Sequence, residues 1–204
     1  MNSLKQYAPA TQRNREHILE VLLRVLPSSG DILEVASGTG EHSLFFAPAF
    51  SPRLWIPSDP NPIARDSIEA WREESLIDNI QPPLNINVEN SSWEIENKEL
   101  NITTIVNINM IHISPWKACL GLMEGANRIL PSEGILYLYG PYKQGGKHTA
   151  PSNESFNQYL RGENPEWGVK NLEDVIKVAE DKGLIFQEKV DMPANNLSVI
   201  LQKK

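Results

Sequence analysis

The chain has 204 residues, of which 40% are hydrophobic and 22% are charged. That composition supports one core of ordinary size and excludes a disordered tail, a collagen and a membrane bundle. Acidic side chains outnumber basic ones by 26 to 19, giving a net charge of −7; with no basic patch at Lys143–Lys147 or Lys203–Lys204, no nucleic-acid partner is expected.

A first amphipathic helix is expected from Thr11 to Leu26. Ile18, Leu22 and Val25 recur there at helical spacing, and Leu19, Leu23 and Leu26 widen the stripe. Pro27-Ser28-Ser29-Gly30 stops it. Ile32 to Ala36 reads as a short apolar strand. The loop Ser37-Gly38-Thr39-Gly40 follows, then a helix start over His42–Ala47 that Pro48 breaks. Leu54-Trp55-Ile56 is a second strand ending in Ser58-Asp59. Asn61 caps the next helix, with Pro62 at its first position, and the apolar pattern of Ile63, Ile68 and Trp71 fades near Ile77. Leu84 to Val88 is a third strand, and the β-branched run Ile102–Met110 is a buried fourth. Trp116–Leu130 is helical and Ile135–Tyr139 is a fifth strand. A long insert, Gly140 to Gly168, holds a short helix near Phe156–Leu160. Asn171 caps a helix that ends near Lys182. Leu184–Val190 and Leu197–Gln202 are separated only by a turn at Met192–Asn196, so they pair as an antiparallel hairpin.

Alternating strands and helices predict one α/β domain over residues 1–204, with a mostly parallel sheet covered on both faces. Right-handed crossovers then place the ligand crevice at the carboxyl ends of the strands.

The small residues around Gly38 and Gly40 let backbone approach a ligand, and the following helix offers free N–H groups. Asp59 lies nineteen residues beyond Gly40, at the end of the second strand, where an acid accepts ribose hydroxyls. Two ligands compete for this geometry. A dinucleotide calls for a third glycine, but Ser43 stands there, and the carboxylate of Glu34 would repel a pyrophosphate. A ligand with a nucleoside end and an ammonium end suits Glu34 better, and S-adenosylmethionine fits. The run resembles motif one of class I methyltransferases, with Ala36 where that motif often has its first glycine.

Asn109-Met110-Ile111-His112-Ile113-Ser114-Pro115-Trp116 falls at the end of the fourth strand. Asn109 can orient a polar acceptor. His112 reads either as a general base or as a hydrogen-bonded structural histidine. Trp116 reads either as a substrate wall or as core. Ser114-Pro115-Trp116 is similar to the motif of amino-group methyltransferases acting on nucleobases, without its second proline.

These runs, together with Tyr7-Ala8-Pro9-Ala10, Arg13-Asn14, Ser58-Asp59-Pro60, Tyr139-Gly140-Pro141-Tyr142, Ser152-Asn153, Pro165-Glu166-Trp167-Gly168 and Met192-Pro193-Ala194-Asn195-Asn196, cover almost the whole chain. They resemble a family of small class I methyltransferase-like proteins, the methyltransferase-like family numbered twenty-six, also filed as a domain of unknown function. The resemblance implies a Rossmann-like class I methyltransferase fold and an S-adenosylmethionine site made of Arg13, Asn14, Glu34, Ala36, Gly38, Gly40, Asp59, Pro60, Asn87, Val88 and Asn109. The family usually has an acid at the place of Asn87, whose carbonyl can still accept a hydrogen bond from the adenine amine.

Residues 1–27 and the insert 140–170 are expected to close over the crevice as lids. Tyr7, Trp116, Tyr142, Asn153, Phe156 and Trp167 would wall a small-molecule pocket, and Arg161 would hold a carboxylate. The activity expected is therefore transfer of a methyl group to a small acceptor. The alternatives are a non-catalytic binder of the cofactor and a nucleobase amine methyltransferase. Cys119 alone can form no internal disulfide, His17, His42 and His148 stand at no ligand spacing, and no metal is expected. The opening residues Met1–Gln6 have no apolar core and no run reaches membrane length, so a cytoplasmic protein with no membrane partner is expected.

Overall fold

Pro9, with φ already near helical values, opens the first helix, α1 (Pro9–Val25), which buries Ile18, Val21 and Leu22. The computed structural model to which it belongs describes residues 4–204; residues 1–3, the start of the expected N-terminal lid, lie outside the described residues. Next come β1 (Asp31–Val35), α2 (Glu41–Phe46) with a 3₁₀ turn over Ala47–Phe50, β2 (Trp55–Ser58) and α3 (Pro62–Glu74). Asn61 caps α3 as expected, its side chain accepting from the Ile63 N–H at 3.0 Å. A 3₁₀ turn over Glu94–Asn97 leads to β3 (Ile102–Ile108), and another over Met110–His112 leads to α4 (Trp116–Ile129). After β4 (Ile135–Pro141), a small ribbon of β5 (Lys143–Gln144) and β6 (Lys147–His148) precedes α5 (Pro151–Glu163) and α6 (Leu172–Asp181). The chain closes with β7 (Leu184–Met192) and β8 (Asn196–Lys203).

Six strands form one sheet in the order β2-β1-β3-β4-β8-β7. Strands β2, β1, β3 and β4 run parallel, with Leu33 opposite both Ile56 and Ile105. β8 pairs antiparallel with β4 and with β7, which is the hairpin read from the sequence. Buried parallel strands are apolar on both faces. Leu33, Ile105 and Leu136 meet Cys119, Leu122 and Val175 on one side. On the other side, Ile32, Val106 and Tyr137 meet Ile18, Leu22 and Phe46. Among the described residues, no helix is long and apolar enough to cross a membrane.

Two elements differ from expectation. The third strand, Leu84–Val88, does not form. The chain from Ile80 to Leu84 meets β2 through isolated bridges, Trp55 with Ile80 and Ser58 with Leu84, and no strand follows before β3. Pro82 and Pro83 fall between those bridges and have no N–H to donate, so the ladder cannot continue. The segment instead lies against α4, where a Cβ added to Gly121 would fall 2.2 Å from the Val88 carbonyl oxygen. The insert helix is also longer than expected, with Pro151 opening it and Glu163 ending it.

Candidate functional site

The loop after β1 carries three consecutive devices. Ala36 and Gly38 take left-handed φ values of 58° and 57°, and Gly40 caps α2 at φ 88°. The first of these is unusual for a residue with a Cβ, and glycine would adopt it without strain. Gly40 packs flat on α3, where a Cβ would lie 3.0 Å from the Ile68 Cα, whereas one at Gly38 would meet nothing. Gly38 is therefore the glycine that faces open space.

Asp59 is brought to this loop from β2. One carboxylate oxygen accepts the Gly38 N–H at 3.0 Å and the other accepts the Asn61 N–H at 2.9 Å. Burial nonetheless raises its pKa above the usual value. Glu34 lies beneath the loop, 1% exposed. Its Oε2 accepts from the Ser43 hydroxyl at 2.5 Å and the Trp55 indole N–H at 2.8 Å. Desolvation outweighs those bonds and pushes its pKa up to about 7.

Three adjoining cavities run along the carboxyl ends of the strands. The first is a slot of about 220 Å³ between Ala36, Pro60, Ile86, Asn87, Val88 and Met110. The middle cavity, about 400 Å³, is lined by Glu34, Ala36, Gly38, His42, Asn109 and Met110 among others, and also by Asn14. The outer cavity, about 440 Å³, lies between α1 and α5, with Arg13 and Asn14 on one wall and Ser152, Asn153 and Phe156 on the other. The slot and the middle cavity share Ala36, Met110 and Ile113. The middle and outer cavities share Ala10, Asn14 and Asn109. Asn109 reaches this junction because it takes a left-handed φ of 64°, which asparagine tolerates, with its N–H held by the Tyr139 carbonyl at 2.8 Å.

The structure thus gathers Asn14, Glu34, Ala36, Gly38, Pro60, Asn87, Val88 and Asn109 around the slot and middle cavity. Arg13, expected beside the cofactor, lines only the outer cavity with Asn153 and Phe156. The Asn87 carbonyl already accepts the Glu89 N–H at 3.0 Å, and Glu89 also borders the slot with its carboxylate paired to Lys117 at 2.9 Å.

Several expected residues lie elsewhere. His112 lines none of these cavities and is fully buried. The turn begun by Asn109 swings its ring back under the sheet, edge-on to Tyr142 at 4.8 Å and against Gly140. Its Nδ1 accepts the Lys170 N–H at 3.3 Å, and burial lowers its pKa to about 3. Tyr142 is likewise fully buried, in the core rather than a pocket wall. Trp116 borders a separate surface cavity of about 480 Å³ with Lys143, Lys170 and Lys177. Tyr7 packs on Trp71 at 5.1 Å and stays largely exposed. Arg161 is exposed, and neither it nor the half-buried Trp167 touches the three cavities.

Two residues were missed as site members. His42, on the first turn of α2, places Nε2 2.8 Å from Asn14 Oδ1. An amide oxygen only accepts, so the ring donates from Nε2. Burial, and then Arg15, lower the His42 pKa to about 3, so the ring is neutral. Asn14 also hydrogen-bonds the Tyr139 hydroxyl, whose pKa burial raises. Tyr139 was visible in the sequence only as part of a strand. His42 stood in the glycine-loop run, but nothing there pointed to Asn14, 28 residues away. Among the described residues, no three His, Cys, Asp or Glu side chains cluster as metal ligands would.

The fold is that of class I methyltransferases. An O-methyltransferase family protein from Burkholderia thailandensis superposes with a TM-score of 0.78 at 13% identity, covering 96% of this chain and 56% of that one. An O-methyltransferase family 2 protein from Planctomyces limnophilus, solved in complex with apigenin, gives 0.76 at 16% identity, with coverage of 96% and 58%. Human N-acetylserotonin methyltransferase, solved in complex with S-adenosylmethionine, gives 0.69 at 12% identity, with coverage of 93% and 54%. The chain spans little more than half the length of these proteins. Residues 5–203 match the family model described as "Protein of unknown function (DUF938)", and the chain belongs to that family.

Proposed function

We propose that the protein is an S-adenosylmethionine-dependent methyltransferase acting on a small molecule in the outer cavity. The observation that carries this reading is the order of the three cavities, with Asn109 at the junction of the second and third. The resemblance to the methyltransferase-like family numbered twenty-six adds to it.

The residues present fit the cofactor. The apolar slot suits an adenine ring, with Asn87 and Glu89 as acceptors for its amine. Gly38, with open space where a Cβ would be, permits close approach of the ribose and amino-acid portion. Glu34 borders the middle cavity, where an ammonium would find its carboxylate. When bound, S-adenosylmethionine supplies a methyl group on a positively charged sulfur, which keeps the electron pair of the broken bond as the acceptor's lone pair takes the methyl.

The chain's own residues position the acceptor and exclude water. Asn109 fixes it at the junction, Asn14 holds His42 and Tyr139 beside it, and α1 and α5 wall the cavity. The raised pKa of Tyr139 keeps its proton on the phenol, so it serves as a hydrogen-bond donor to the acceptor. With His112 enclosed and His42 a weak base at a pKa of about 3, neither histidine supplies a strong base at the junction. An acceptor such as a phenol, whose proton can pass to water, needs neither histidine. Calorimetric titration with S-adenosylhomocysteine tests the reading: saturable one-to-one binding is expected, and no heat at high micromolar concentration overturns it.

A further inference from the structure

We propose that the acceptor molecule carries a single carboxylate on an apolar body and that Arg13 anchors it. This rests on the methyltransferase reading above. The chain as a whole is acidic, at −7. Yet the outer cavity has no acid in its lining, and Arg13 is its one cation. Among the described residues, Arg13 has no hydrogen-bond or ion-pair partner. Most other arginines are committed. Arg24, Arg72 and Arg128 pair with glutamates. Arg53 and Arg65 donate to backbone carbonyls, and Arg15 lies over the Phe45 ring.

An unpaired guanidinium at an acid-free concave site attracts an anion, and its planar fork matches a carboxylate. Phe156, Pro141 and Pro193 give the cavity an apolar surface beside Ser152 and Asn153, which suits a ring or short hydrocarbon body. Arg13 borders the outer cavity but not the middle one, whereas Asn109 borders both. The carboxylate is therefore the anchor, and a second group of the same molecule, at the Asn109 end, receives the methyl and gives up its proton to water.

The test is a binding panel on the full chain saturated with S-adenosylhomocysteine. 4-Hydroxybenzoate, 4-hydroxyphenylacetate and 3-(4-hydroxyphenyl)propanoate are each compared with the neutral amide, and phenyl phosphate is included. At least one acid is expected to bind about tenfold tighter than its amide. Arg13→Gln should abolish that preference and Arg13→Lys should restore part of it. All three proteins should bind S-adenosylhomocysteine within about twofold of each other. No acid preference in any pair, or a preference that survives Arg13→Gln, overturns the proposal. Phenyl phosphate binding more tightly than every carboxylate also overturns it, in favour of a phosphate ester. Failure of wild type to bind S-adenosylhomocysteine sinks the methyltransferase reading itself, which separates the two.

Discussion

The Nε2 of His42 lies 2.8 Å from the Oδ1 of Asn14, and this contact ties the helix after the glycine loop to the N-terminal helix across the mouth of the middle cavity. Asn14 spends its other side-chain group on the Tyr139 hydroxyl, so one amide links α1, α2 and β4. Asn14→Ala leaves the half-buried His42 N–H without its protein partner. A loss of about 1 kcal/mol in stability is expected, the net worth of an ordinary hydrogen bond. Urea denaturation of the variant checks it, and an unchanged midpoint would remove the link from this account.

Glu34 gives a pH signature. Its folded pKa of about 7 stands above its ordinary 4.5, so the folded state holds a proton more tightly than the unfolded one. Stability from this group is complete below pH 4.5 and is lost as pH rises to about 7, by on the order of 3 kcal/mol. Glu34→Gln should flatten that window, because its amide oxygen can still accept from Ser43 and Trp55. Thermal melts from pH 4.5 to 8 read the difference directly.

The same group should couple proton release to cofactor binding. An ammonium near Glu34 favours the carboxylate, so S-adenosylhomocysteine should displace up to one proton at pH 6 and almost none at pH 8. Calorimetry in buffers of different ionisation enthalpy measures this. Equal proton release by wild type and Glu34→Gln would show that the ammonium does not meet this carboxylate.

Ala36 stores strain at φ 58°. Ala36→Gly should relieve it and raise stability by about 1 kcal/mol, net of the entropy glycine adds to the unfolded chain. A destabilised Ala36→Gly would mean that the methyl group packs usefully where it borders the slot.

Gly140 is required by what lies against it. A Cβ there would fall 2.5 Å from His112 Nε2 and 3.1 Å from Asn109 Oδ1. Gly140→Ala should cost about 1–3 kcal/mol through overpacking. Adding His112→Ala should recover part of that loss in a double-mutant cycle. Additive costs would place the clash elsewhere.

What the residues determined on their own was local. The stripe of Ile18 and Leu22, the Asn61-Pro62 cap, the glycine loop with its small residues, and the two closing strands each depend on chemistry within one or two turns of chain. That was enough for the α/β alternation and for the approach of Gly38 and Asp59, because strand ends in this topology meet at one edge. Side-chain direction was decided by tertiary structure. Asn109 enters its left-handed turn against the Tyr139 carbonyl, and that turn sends Asn109 to the junction while sealing His112 in the core. The paired prolines 82–83 broke a strand whose apolar pattern looked sound. α1 and α5, about 140 residues apart in the chain, close one cavity and choose Arg13 over Arg161 as its cation. Each of these outcomes rests on long-range packing that sets a backbone dihedral or the face of a helix, and neither leaves a periodic trace in the sequence.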